Sequence, residues 1–197
     1  MSNRSIHTLL KNWDEECPLT REEAVEVLSL PEEEMDSLME CAYALRTKYK
    51  GKKVSVQLLT NVRSGNCTQN CAYCAQSKDS QAEIEKYKRV SDEKLYGDND
   101  LVDEKHLARH CIGLSGIGFS DEEIEDLADR IREMKKKDTQ ICCSIGFLTE
   151  KQARILKDAG LDRINHNLNS SRSFYPEICT THTYDQRVNN IKMLQGL

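Results

Sequence analysis

The chain has 197 residues, 38% of them hydrophobic and 31% charged, a composition that suits one soluble folded domain with a real core. Its formal charge of -5 gives no electrostatic reason for nucleic acid or an anionic membrane surface as a partner. The apolar runs are only a few residues long, and the opening MSNRSIHTLLKNWDEEC lacks an uninterrupted hydrophobic region, so neither a membrane span nor a secretory signal is predicted and a cytoplasmic location is expected.

Residues 1–50 contain no glycine and read as a helical segment that precedes 51–197. Thr20 and Glu23 form a capping box, followed by the apolar face Ala24, Val25, Val27 and Leu28. Pro31 opens a second helix whose Met35, Leu38, Met39, Ala42 and Leu45 recur at helical spacing until Lys50-Gly51. From Lys52 onward, strand-like runs at Val54–Thr60, Arg109–Ser115, Gln140–Gly146 and Asp162–Leu168 alternate with helical segments, the pattern of βαβ units on a parallel sheet. The charge-rich stretch Lys78–Leu107 makes no convincing stripe and is expected to be an irregular crossover with short helices. Ser120 with Glu123 caps a helix carrying Ile124, Leu127, Ala128, Ile131 and Met134, and Lys135–Lys137 sits at its negative end. Thr149 with Gln152 caps the next, and Tyr184, Val188, Ile191 and Leu194 mark a last one. The α/β class with four β/α units is the expectation, and since a full (β/α) TIM-type barrel takes about 250 residues, residues 51–197 read as a partial barrel with open strand edges.

Nine cysteines are many for a cytoplasmic chain, where thiols stay reduced, so metal or catalytic use outranks disulfides. Cys67, Cys71 and Cys74 stand at i, i+4 and i+7, beside Gly65, Asn66 and Asn70, which disfavour a helix and place them on a loop after the first strand, where ligands bind. Three thiolates are one short of a closed zinc or iron–sulfur site, and a cubane held by three leaves one iron open to the amino and carboxylate groups of a substrate. A zinc site borrowing a distant ligand, or three unconnected buried thiols, are the plainer readings.

Strand alternation carries a separate argument. Cys111, Gly113 and Ser115 share one face of the second strand, Cys142, Ser144 and Gly146 one face of the third, and Asn165, Asn167 and Asn169 one face of the fourth. The opposite faces, His110, Ile112 and Leu114, then Ile141, Cys143 and Ile145, then Ile164, His166 and Leu168, suit packing against outer helices. What remains is a barrel interior of cysteines, small residues and asparagines, a poor core and a plausible ligand cavity.

Asn61–Ser77 (NVRSGNCTQNCAYCAQS), with DRINHNL at 162–168 and SFYPEICTTHTY at 173–184, resembles the biotin synthase family of radical S-adenosylmethionine enzymes, and Tyr73 fills the aromatic position of that superfamily's C-x-x-x-C-x-aromatic-C motif. The resemblance runs from about residue 20 onward and covers little more than half of a family member. It implies that Cys67, Cys71 and Cys74 hold a [4Fe–4S] cluster whose open iron binds S-adenosylmethionine, with Tyr73 near the adenine. A 5′-deoxyadenosyl radical then takes hydrogen from dethiobiotin. The resemblance further implies that Ser115 and Gly116 seat the methionine end of S-adenosylmethionine, that Arg187 pairs with its carboxylate, and that Asn165 and Asn167 lie near the dethiobiotin ring and the cofactor ribose. Cys111 and Cys142 match ligands of an auxiliary iron–sulfur cluster that gives up the inserted sulfur. An electron donor such as flavodoxin or ferredoxin, and a homodimer, belong to the same expectation.

Asn169 stands where the family commonly has Asp, so ribose recognition there rests on an amide. A sister radical enzyme acting on another small molecule, and a metal-binding module without catalysis, are the competing readings. His106 and His110 have zinc-helix spacing but run into a strand, and Cys17, Cys41 and Cys179 are read as thiols outside the ligand set.

Overall fold

The computed structural model describes residues 19–197, so Cys17 lies outside the described residues. The chain divides into two units, Met1–Val54 and Ser55–Leu197. In the first, α1 (Arg21–Leu28) starts at the expected capping box, with the Glu23 amide donating to Thr20 Oγ1 at 3.2 Å and the Thr20 amide to Glu23 Oε2 at 2.9 Å. Pro31 opens a 3₁₀ turn, Glu32–Glu34, before α2 (Met35–Lys50), which therefore begins four residues beyond the proline. Gly51, at φ +63°, ends α2, and the Arg46 guanidinium donates to the carbonyls of Gly51 and Lys53 at 2.9 and 2.7 Å.

The second unit has four parallel strands in the order β1 (Gln57–Arg63), β2 (Arg109–Leu114), β3 (Ile141–Ser144) and β4 (Arg163–Asn165). Helices α3 (Asp92–Glu104), α4 (Asp121–Met134) and α5 (Glu150–Asp158) occupy the three crossovers, and α6 (Tyr175–Ile178) and α7 (Tyr184–Gln195) follow β4. This is the α/β alternation of a partial (β/α) barrel. The core lies between sheet and helices. Ile112, Ile141, Cys143 and Ile145 of the β2 and β3 segments meet Ile124, Leu127, Ile131 and Leu156 there. Burying such side chains supplies about 1.5–3 kcal/mol each. Among the described residues no helix is long and apolar enough to cross a membrane.

Three elements depart from the sequence reading. β1 lies three residues later than Val54–Thr60, because its pairing with β2 begins at Gln57 opposite Arg109 and continues through a register shift between Asn61 and Arg63 that turns Val62 into the core. β4 stops at Asn165, short of Leu168. The third departure is α3, a 13-residue helix in a stretch expected to be irregular. Its buried face mixes Leu95 and Val102 with Asp98 and Asn99. Thr60 Oγ1 bridges Asp98 Oδ2 at 2.6 Å and His110 Nε2 at 2.7 Å, His110 Nδ1 faces Asn99 Oδ1 at 3.2 Å, and Asn99 Nδ2 donates to the Met134 carbonyl at 3.1 Å. The pairing offsets the desolvation cost that would otherwise bar these groups from the interior. Lys94 closes the network on Asp98 at 2.6 Å. His110 is thus a core histidine on the helix-facing side of β2, as the strand phase requires.

Candidate functional site

At the C-terminal ends of the strands a cleft of about 470 Å³ opens, lined by the loop after β1, the ends of β2 and β3, the Asn-rich segment after β4 and the start of α7. Cys67, Cys71, Cys74 and Tyr73 line it, as do Ser115, Gly116, Asn165, Asn167, Asn169 and Arg187. The cleft therefore collects every residue expected of the primary cofactor and substrate site.

The loop is shaped before it is filled. Gly65 takes φ +68°, a conformation glycine adopts at no steric cost, and Asn66 follows at φ 54°. The Gly65 amide donates to Gln76 Oε1 at 2.8 Å and its carbonyl accepts from Ser115 Oγ at 2.6 Å. That bond commits the Ser115 proton, so what Ser115 offers a ligand is an acceptor. Gly146 lets the chain after β3 approach closely, since a Cβ there would lie 2.4 Å from the Ile117 carbonyl oxygen.

Asn70 ties the cysteine loop to the turn after α6. Its Oδ1 accepts from the amides of Thr180 and Thr181 at 3.0 and 3.2 Å and from Thr181 Oγ1 at 3.0 Å, while its Nδ2 donates to Thr180 Oγ1 at 2.7 Å. The Ala72 amide adds a bond to the Ile178 carbonyl at 2.9 Å. Cys71 is buried there against Tyr175 and Cys179, with Cys74 partly buried beside them. Burial, then the neighbouring Cys179, push the Cys71 thiol up to about 11. Burial also acts on Cys179, yet the Thr181 hydroxyl and the amides of His182 and Thr181 hold its thiol below the ordinary value. His182, pushed down to about 4 by burial and the Arg187 charge, is neutral at physiological pH.

Among the described residues, Arg187 is the single charged side chain lining the cleft, and no carboxylate lines it. Its Nε donates to Tyr175 Oη at 2.5 Å and its Nη1 to the Asn167 carbonyl at 3.1 Å, while Nη2 lies 3.4 Å from Tyr73 Oη. Among the described residues no acidic side chain pairs with it. In a chain of net charge -5, a cation kept clear of carboxylates suits an anionic ligand group. Asn169, at φ 65°, donates its Nδ2 to Tyr73 Oη at 2.6 Å, which leaves Oδ1 as a free acceptor. An aspartate could not make that donation.

Outside the lining of the cleft, one pleat below Gly113 and Ser144, Cys111 and Cys142 are direct partners in the parallel register of β2 and β3, next to Leu59 of β1 and Arg163 of β4. Burial, then Cys142, raise the Cys111 thiol, whose proton is donated to Gln57 Oε1 at 3.0 Å. Cys143 points the other way into the core, as the strand phase requires. The phase fails after β4, where pairing ends and the chain turns. His166, placed by alternation on the helix side, lines the cleft instead, with Nδ1 3.4 Å from the Ile145 carbonyl.

The cleft fits an iron–sulfur cluster with a polar organic cofactor. It offers soft thiol donors at the strand ends, the Arg187 cation, and two buried polar atoms without partners, Gln69 Oε1 and His166 Nε2, both in its lining. Sequence reasoning missed Asn70, Tyr175 and His182. The one available signal was the run of hydroxyls and a histidine, Thr180-Thr181-His182-Thr183, beside Cys179.

Comparison with known proteins agrees with this architecture. The chain is 39% identical over 178 residues to the biotin synthase of Geobacillus kaustophilus, covering 90% of this chain and 54% of that protein. It is 40% identical over 176 residues to the biotin synthase of Bacillus subtilis, covering 89% and 52%. The chain thus spans about half the length of the curated relatives it matches. Among solved structures, a methylornithine synthase (PylB) superposes with a TM-score of 0.80 at 16% identity, over 95% of this chain and 54% of that one. The FeFe-hydrogenase maturase HydG from Carboxydothermus hydrogenoformans does so with a TM-score of 0.74 at 20% identity, over 90% and 42%. These two share the fold. Residues 61–197 match the model of the Radical SAM superfamily, and with that match over more than half of its length the chain belongs to this superfamily, whose cofactors are a [4Fe–4S] cluster and S-adenosylmethionine.

Proposed function

We propose that the chain is a biotin synthase, inserting sulfur into dethiobiotin, with residues 51–197 forming the cofactor-binding part of the barrel. Cys67, Cys71 and Cys74 hold the [4Fe–4S] cluster. When bound, the cluster and S-adenosylmethionine supply a 5′-deoxyadenosyl radical, which abstracts hydrogen from unactivated carbon. The residues of the chain bind and orient. Arg187, fixed by Tyr175 and the Asn167 carbonyl, presents its remaining donors to the carboxylate of S-adenosylmethionine. Gly116 leaves room at the methionine end and Ser115 offers it an acceptor. Asn169 Oδ1 accepts from a ribose hydroxyl because its Nδ2 is spent on Tyr73, which lies by the adenine. Asn165 and Asn167 turn to the ring of dethiobiotin, and Asn167 also to the ribose. Cys111 and Cys142 hold the auxiliary cluster that gives up sulfur. A one-electron donor of the flavodoxin or ferredoxin type and a homodimer complete the reading.

The observation that carries sulfur insertion, over radical chemistry of another kind, is the direct pairing of Cys111 with Cys142 on the strand face whose next residues, Gly113 and Ser144, line the cleft. Identity of 39–40% to biotin synthases supports it. The test is electron paramagnetic resonance on the anaerobically reconstituted, reduced chain with and without S-adenosylmethionine, followed by mass spectrometry for biotin made from dethiobiotin. The expected result is a cluster signal that changes with the cofactor, and a second cluster lost in Cys111→Ser and Cys142→Ser. A signal indifferent to S-adenosylmethionine, or iron content unchanged in both variants, overturns the reading.

A further inference from the structure

One set of donors in the cleft wall is arranged for a different metal from the cluster. Among the described residues, the Cys, His and carboxylate group whose ligand atoms all lie within 4.8 Å of one another is Cys71, Cys179 and His182, and all three side chains are buried. Cys67 and Cys74 are not part of it. Cys71 Sγ lies 3.8 Å from Cys179 Sγ, and His182 Nε2 lies 3.4 Å from each sulfur. A tetrahedral ion with bonds of about 2.3 Å to sulfur and about 2.0–2.1 Å to nitrogen sets its ligands about 3.8 Å apart for sulfur pairs and about 3.6 Å apart for sulfur and nitrogen. The observed triangle matches those spacings within about 0.2 Å. It is far too wide for a disulfide, whose sulfurs are about 2.05 Å apart.

We infer that Cys71, Cys179 and His182 form a mononuclear site for a borderline-soft divalent cation of the zinc and ferrous class, occupied when the cluster is absent and exclusive of it because Cys71 serves both. The surroundings supply what a histidine ligand needs. Arg187 can only donate, and its Nη2 lies 3.4 Å from His182 Nε2, so Nε2 carries the lone pair; Nδ1, 2.9 Å from Tyr175 Oη, carries the proton. Tyr175 is itself held by Arg187 Nε, giving the outer hydrogen-bonded partner that orients metal-bound imidazoles. The Asn70 and Ala72 bonds to residues 178–181 bring the two cysteine segments together without any ion. Binding expels two thiol protons and leaves the ion and two thiolates neutral in sum. Cys71 and His182 also line the cleft, so the fourth position is left to water or a small ligand. In this state Cys71 is withdrawn from the cysteine motif, so a zinc-loaded chain refuses a cluster until the ion is removed.

The site itself does not depend on the function proposed above, and its metal titration needs no cluster; its exclusion of the cluster rests on that reading, and the reconstitution arm tests it separately. The reduced, metal-free full chain is titrated anaerobically with Co²⁺, whose tetrahedral thiolate absorption reports the donor set, and then with Zn²⁺ in competition. Wild type, Cys67→Ser and Cys74→Ser are expected to saturate at about one equivalent. Cys179→Ser and His182→Gln are expected to lose about 100-fold or more in affinity. His182→Cys is expected to keep the site and intensify the sulfur-to-cobalt band. Preloading with Zn²⁺ is expected to block iron–sulfur reconstitution of wild type but not of Cys179→Ser, whose cluster uptake also shows that it folds. Absence of a thiolate–cobalt band in wild type overturns the proposal. So does a band that survives Cys179→Ser and His182→Gln but disappears in Cys67→Ser or Cys74→Ser.

Discussion

Replacing Asn70 by Ala tests whether one amide holds the cysteine loop in place. The substitution removes Oδ1 as acceptor for the Thr180 and Thr181 amides and the Thr181 hydroxyl, and removes the Nδ2 donor to Thr180. A neutral hydrogen bond contributes about 0.5–1.5 kcal/mol net. Three of these four converge on one oxygen, which also accepts a weak bond from Cys179 Sγ at 3.5 Å, and Thr180 and Thr181 are exposed, so water replaces part of the loss and the local cost is expected at about 2 kcal/mol. That corresponds to about a 30-fold rise in the opening equilibrium of this loop pair. Amide hydrogen exchange reads it at residues 180 and 181, with Ile112 and Ile131 of the core as internal references. Asn70→Asp keeps the acceptor and is expected to keep most of the protection. A change below about threefold at 180 and 181 in Asn70→Ala, or an equal change in the core amides, refutes the reasoning.

Three further outcomes follow from the same geometry. Arg187→Lys replaces a planar fork, fixed on Tyr175 and the Asn167 carbonyl, with a single ammonium, and S-adenosylmethionine binding to the reconstituted chain is expected to weaken by about 10- to 100-fold by equilibrium dialysis; an unchanged affinity removes Arg187 from carboxylate recognition. The adjacent cysteines of β3 should part company: Cys142→Ser is expected to lower iron and sulfide content with little effect on urea unfolding, while Cys143→Ser, buried among the core side chains, is expected to cost about 1–3 kcal/mol with iron content unchanged. Burial opposes the ionised form of Asp98, but Lys94 and Thr60 hold its carboxyl below the ordinary range, so its stabilisation is present above about pH 4 and lost as pH falls through the folded value. Asp98→Asn is therefore expected to destabilise by about 1–3 kcal/mol at pH 7 and by much less in acid; equal costs in urea melts at both pH values would remove the charge from the explanation.

Where local chemistry and burial agree, the fold was readable from the residues alone. Helix α4 shows this best, with Ser120 and Glu123 exchanging both capping bonds and Ile124, Leu127, Ala128, Ile131 and Met134 all buried. The face of β3 was readable too, because Ile141, Cys143 and Ile145 leave only one packed phase. Helix α3 was not, since hydropathy counts Asp98 and Asn99 as solvent residues and only their tertiary partners Thr60, His110 and Met134 make them interior ones. The N-cap Ser91, whose hydroxyl accepts from the Lys94 amide, and the acidic first turn Asp92-Glu93 were the local signs of that helix. β1 was displaced for a related reason: Val54 and Val56 look like strand residues, but the parallel register to β2 starts at Gln57.

The cleft follows the same division. Spacing within one loop is enough to group Cys67, Cys71 and Cys74 as an expectation, and strand phase to put Cys111 and Cys142 on one face, because each inference needs only one element's geometry at a time. No such rule reaches from Cys71 to Cys179, which stand 108 residues apart and meet through irregular segments that Asn70 and Ala72 join. Periodicity carries no information about loops, and their polar groups must be matched one by one. The consequence reaches beyond this pair. A motif groups three cysteines of one loop, but the residues packed around Cys71, namely Cys179, His182 and the Tyr175–Arg187 pair behind them, stand far along the chain, where only the folded structure connects them.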